Sequence, residues 1–109
     1  MKLAGEILEK NNCPQEISDM VIGCILNHRS TKNATNIEEL CVCDADILAH
    51  FDNIPMLFNS DFIRNKVDLN EIRKWIKNAF EKDCNDLSEE TKKIFNDKYK
   101  LILEIVLGE

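Results

Sequence analysis

Residues 40–51 read Leu-Cys-Val-Cys-Asp-Ala-Asp-Ile-Leu-Ala-His-Phe, and nine of the twelve are apolar. A helix that is apolar nearly all round is expected to be surrounded by protein. Yet this one carries Asp44, Asp46 and His50. On a helical wheel Asp44 falls between Leu40 and Leu48 on one stripe, whereas Asp46 shares a face with Val42, Cys43, Ala49 and His50. A buried, ionised carboxylate is costly unless it is paired, hydrogen-bonded or bound to a metal. The residues alone leave two readings open. The acids either hold a metal or complete a buried polar network, in which they cap a neighbouring helix or pair with Arg29, Arg64 or Arg73.

The rest of the chain fixes the fold class. Its 109 residues suit one domain with one core. Only 3 Gly and 2 Pro are present, too few for the many tight turns of a sheet protein, so helices are expected. The first helix should run from Lys2 to Lys10 on the stripe Leu3, Ile7 and Leu8, and end at Asn11-Asn12. Pro14 suits the first turn of a second helix, along which Ile17, Val21, Cys24, Ile25 and His28 follow a helical period. Asn36 and Glu39 have the spacing of an N-cap and its N3 partner, opening a third helix to about Phe51. Asn53-Ile54-Pro55 should break that helix, and a short apolar segment, 56–63, follows. Asp68 and Glu71 resemble a capping box for a helix to about Lys82, with Ile72, Trp75, Ile76 and Phe80 inward. Ser88 should cap the last helix, whose apolar face would be Ile94, Tyr99, Leu101, Ile102, Ile105 and Val106. The expectation is a single all-α domain over 1–109, a small bundle of five to six helices.

Charge and cysteine content narrow the function. A net charge of -6 repels phosphate backbones and anionic lipid, so neither nucleic acid nor membrane is expected as a partner. No apolar run approaches the roughly 20 residues of a membrane span, and Glu6 stands where a signal peptide would be apolar. Five cysteines, an odd number without a CxxC, read as reduced and mostly buried thiols of a cytoplasmic protein. Cys41 and Cys43, two apart on a helix, point about 200° away from each other and are poorly placed for one tetrahedral zinc. His50 reads as a hydrogen-bonded structural histidine, and Trp75, Phe80, Phe95 and Tyr99 as core.

Three stretches carry a family likeness. Leu3-Ala4-Gly5-Glu6-Ile7-Leu8-Glu9-Lys10 with Cys13-Pro14 resembles the helix after the paired His-Asp motif of the HD superfamily of metal-dependent phosphohydrolases. Val21-Ile22-Gly23-Cys24-Ile25-Leu26-Asn27-His28-Arg29 resembles that family's helix ending in I-x-x-H. Glu39-Leu40-Cys41-Val42-Cys43-Asp44-Ala45-Asp46-Ile47-Leu48 resembles the helix bearing its last metal-binding aspartate, written D-A-D followed by a basic residue, Leu and Asp. The likeness covers residues 1–58, and 68–109 form a C-terminal helical pair beside it.

The resemblance implies an all-helical protein that uses one or two divalent ions (Mn, Mg, Fe, Co or Ni) to hydrolyse phosphate esters or nucleotides. It makes Asp46 the final metal ligand and His28 an additional histidine at the metal-phosphate site. Asp44 becomes a supporting residue, which orients a ligand or pairs with Arg29. The chain departs from the pattern in lacking the adjacent His-Asp pair, because Arg29 follows His28 and Phe51 follows His50. Ile47 and Ala49 replace a basic residue and an aspartate. The missing ligands would belong before Met1 or on a second chain. The expectation is a partial HD protein, related to enzymes acting on phosphorylated small molecules, with no catalytic residues of its own and too few donors to hold a metal alone. The competing expectation is a non-catalytic helical interaction module. Uncovered apolar surface on the Asp46 helix would favour a homo-oligomer in either case.

Overall fold

The computed structural model describes residues 2–59 and 68–108, without the side chains of Leu57 and Phe58. Among these residues there are six α-helices, one 3-10 turn and no strand, so the all-α expectation holds. The helices are α1 (Lys2–Lys10), α2 (Gln15–Asn27), α3 (Ile37–Phe51), α4 (Ile54–Asn59), α5 (Leu69–Asp86) and α6 (Glu89–Leu107), with the 3-10 turn at Thr31–Asn33. Backbone contacts divide the chain into two compact units, 1–46 and 47–109.

In the first unit local signals set the helix ends. Asn12 adopts a left-handed φ of 52°, which asparagine tolerates well, and closes α1 with a Schellman pair of bonds. The Cys13 N–H donates to the Leu8 carbonyl at 3.0 Å and the Asn12 N–H to that of Glu9 at 3.0 Å. Pro14 stands at the N-cap of α2 without a side-chain bond, and α1 packs on α2. Asn36 caps α3 by accepting the Glu39 N–H at 2.9 Å. The first part of α3 buries Glu39, Cys43 and Asp44 but leaves Cys41, Val42 and Ala45 exposed. The expectation that protein surrounds this helix is therefore corrected. Protein covers one stripe of it, and its apolar composition extends past that stripe.

The second unit holds the larger core. Ile47 and Phe51 of α3 pack with Ile72, Ile76 and Phe80 of α5, Leu87 and Val106, and Phe95, Tyr99 and Ile102 of α6 close over them. Phe51 is its centre, with ring centroids 4.5 Å from Phe80, 4.9 Å from Phe95 and 6.0 Å, edge-on, from Tyr99. Burial pushes the Tyr99 hydroxyl up to about 12, and the charges of Cys84 and Glu81 add to that shift. Pro55 falls in the first turn of α4, where its missing N–H costs nothing, so the break comes at Asp52-Asn53. Residues 60–63 of the expected apolar segment lie outside the described residues.

Three expectations for α5 and α6 are corrected. First, α5 continues to Asp86, four residues past Lys82, because the polar residues there contain no helix breaker. Asp68 occupies its N-cap position without a side-chain bond. Second, Trp75 is 54% exposed, because α6 covers the Ile72, Ile76 and Phe80 side of α5 and Trp75 lies off that side. Third, of the apolar face expected for α6, Tyr99, Ile102 and Val106 do face the core, joined by Phe95, but Ile94, Leu101 and Ile105 are exposed. Ser88 caps α6 as expected by accepting the Thr91 N–H, and Gly108, at φ 70°, ends it. His50 is exposed, yet its Nδ1–H donates to Asp83 Oδ2 at 2.9 Å, consistent with a structural histidine.

Candidate binding groove on the first unit

Gly23, near the middle of α2, lets α3 place a carboxylate against the α2 backbone. A Cβ there would stand 2.6 Å from Glu39 Oε1. The other oxygen, Oε2, accepts from the Thr35 N–H at 2.8 Å, the Asn27 Nδ2 at 3.0 Å and the Thr35 hydroxyl at 3.1 Å. Glu39 is only 4% exposed, so these donors stand in for water. The Thr35 N–H is the largest influence in holding the carboxyl below its ordinary range; burial opposes it, and Asn27 and the Thr35 hydroxyl assist. Nearby, the Cys43 thiol donates to the Asn27 carbonyl at 3.0 Å and, at 3.5 Å, to that of Ser30. Burial pushes this thiol up, with the charges of Asp44, Glu39 and Asp46 adding to the effect.

This clasp fixes α2 beside α3, and a cavity of 560 Å³ opens between them. Met20, Val21, Cys24, Ile25 and His28 line it from α2, and Val42 and Asp46 line it from α3. Residues 21, 24, 25 and 28 recur at helical spacing, so one face of α2 forms a whole wall. The residues assigned by resemblance, His28 and Asp46, are 18 positions apart and meet here. The His28 Nδ1 lies 2.6 Å from the Ile25 carbonyl, which can only accept, so Nδ1 carries the proton and in the neutral ring Nε2 is left as an acceptor. Asp46 is half-buried and has no hydrogen-bond or ion-pair partner among the described residues. Among those residues no lysine or arginine lines the groove.

The supporting residues fall elsewhere. Asp44 is buried, at 9% exposure, and is engaged in a polar or electrostatic interaction, whereas Arg29 is exposed. All five cysteines are free thiols, of which Cys43 alone is fully buried and Cys41 is exposed. Sequence reasoning treated Glu39 only as a capping residue and missed the Gly23–Glu39 clasp. A helical glycine among apolar residues, and an acid following Thr35 and Asn36, were the available signals.

A metal centre does not follow from these residues. Among those described, no three of His, Cys, Asp and Glu are grouped to hold an ion. His28 and Asp46 supply two donors, short of the three that a catalytic zinc site takes from protein. What the groove offers is an apolar trough with two acceptors and no cation. No helix among the described residues is long and apolar enough to cross a membrane. No family model, curated protein or solved structure matches this chain.

Proposed function

We propose that this chain is a helical interaction module built on the C-terminal part of an HD-type phosphohydrolase framework, without hydrolase activity by itself. Its α2–α3 groove receives an apolar segment of a partner. The observation that carries this reading is the groove's composition. His28 and Asp46, singled out by the resemblance, line the same cavity, and the five residues around them are aliphatic, thioether or thiol. Two hydrogen-bond acceptors in an apolar wall suit orientation of a bound segment better than hydrolysis of a phosphate ester, which needs cations or a metal to neutralise developing charge. Exposed Val42 and Met20 at the groove add apolar surface that a partner would cover.

Two measurements test it. A neutral apolar dye such as Nile red, added to dilute protein, should brighten on binding, and Val42→Glu should abolish that signal while the helical circular dichroism persists. Manganese titration should show no tight site, and p-nitrophenyl phosphate should not turn over. Tight manganese binding lost in Asp46→Ala, or metal-dependent turnover, would reassign the groove as a catalytic centre.

A further inference from the structure

The second unit leaves one apolar surface unexplained. On α6, Ile94, Leu101 and Ile105 are 86%, 54% and 70% exposed. With Lys98, also exposed, they recur at intervals of four, three and four residues. At about 100° per residue all four fall within an arc of about 60°, to one side of the core-facing Phe95, Tyr99, Ile102 and Val106. Three large aliphatic side chains aligned in water form a patch that soluble proteins normally cover. By comparison, α1 offers only Leu3 and Ile7 at such spacing.

We infer that the α2–α3 groove of one copy receives the α6 stripe of a second copy, with Lys98 placed against Asp46. This rests on the reading of the groove as a docking surface and names its occupant. The two surfaces match in chemistry, since each is largely apolar with one charged side chain, and the two charges are of opposite sign. They match in extent, since the stripe runs about 16 Å along α6 and the groove about 12 Å along α2. Asp46 and Lys98 have no ion-pair partner among the described residues. A cation from the incoming helix therefore supplies what the groove lacks. Every copy carries both surfaces, so each can give a stripe and accept one.

The test is sedimentation of the full chain across the micromolar range, with circular dichroism to verify the fold. The wild type should dimerise, and Val42→Glu and Leu101→Glu, both at exposed positions, should each yield monomers. Asp46→Lys alone and Lys98→Glu alone should each weaken self-association roughly tenfold or more, because like charges then face each other. Mixing those two variants should restore dimers. The lysine introduced in the groove of one chain then meets the glutamate introduced on the stripe of the other, and the second groove and stripe keep their natural charges. A wild-type monomer throughout the range overturns the inference. So does a dimer indifferent to these substitutions, or a mixture that fails to associate. If Nile red still enters the groove in those cases, only the occupant has been misassigned; if the dye never enters, the groove reading fails as well.

Discussion

Gly5 and Gly23 sit inside helices of the same unit and should answer the same substitution with opposite signs. An alanine in a helix interior is worth about 0.5–1 kcal/mol over glycine, because it loses less backbone freedom on folding. At Gly5 nothing lies within 4 Å of a new Cβ, so Gly5→Ala should return that gain in full. At Gly23 the new Cβ would stand 2.6 Å from Glu39 Oε1, so the carboxylate must move. The end of a glutamate is normally free to yield, but this one is tethered by three donors on Oε2. Overfilling a packed site costs about 1–3 kcal/mol, which exceeds the propensity gain. Gly23→Ala should therefore lose about 1 kcal/mol net, placing the two variants roughly 2 kcal/mol apart by urea denaturation. Their melting temperatures should differ by about 8 °C. In a Glu39→Ala background the obstacle is gone, and Gly23→Ala should become stabilising, as a double-mutant cycle would report. Equal stabilisation by both alanines in the wild-type chain would refute the clasp.

Four further outcomes are expected. Glu39 has a lowered carboxyl in the fold, so its contribution is complete above its unfolded value, near 4.5, and fades as pH falls through the lowered folded value; acid titrations of wild type and Glu39→Gln should diverge in stability progressively as pH rises through that window and stay apart above it. Thiol labelling at neutral pH should modify exposed Cys41 first and Cys43 last, since Cys43 is buried and its thiol is pushed up; early loss of Cys43 would show that the α2–α3 junction opens. The single tyrosine, Tyr99, should titrate at about 12 by absorbance at the red edge of the aromatic band, and a midpoint at the ordinary value would mean that α6 does not bury it. Phe51→Ala should cost about 3–5 kcal/mol, a large share of what a domain of this size possesses, whereas Ala49→Ser, at an exposed position on the same helix, should change little.

What was legible in the sequence was local. Pro14, Asn36 and Ser88 each act within one turn of their own position, and the helices begin where those residues place them. The end of α5 is not legible in this way, for the helix passes the expected Lys82 and runs to Asp86. A helix ends when its backbone turns away, here at Leu87 in an extended conformation. Which faces are covered depends on what packs against each helix, and a helical period does not specify that. Trp75, Ile94, Leu101 and Ile105 follow helical periods as faithfully as Ile76 and Val106 do, yet remain exposed.

The same distinction governs the candidate site. The resemblance selected His28 and Asp46, and the fold places both on one cavity; their neighbours Met20, Cys24 and Val42 had no separate signature. Helix α3 shows why. Its apolar richness suggests complete burial, with the acids as exceptions that need a metal or a buried polar network. Instead, Glu39 and Asp44 lie on the buried stripe with Cys43, while Val42 is exposed and Asp46 half-exposed. The buried acid Glu39 is satisfied by backbone and side-chain donors, and needs no ion. The surplus lies on the apolar side: aliphatic residues on α3 and α6 have more surface in water than either unit's own packing accounts for. In the reading proposed above, that surplus meets another apolar surface, and the placement of Asp46 and Lys98 restricts which surface can fit.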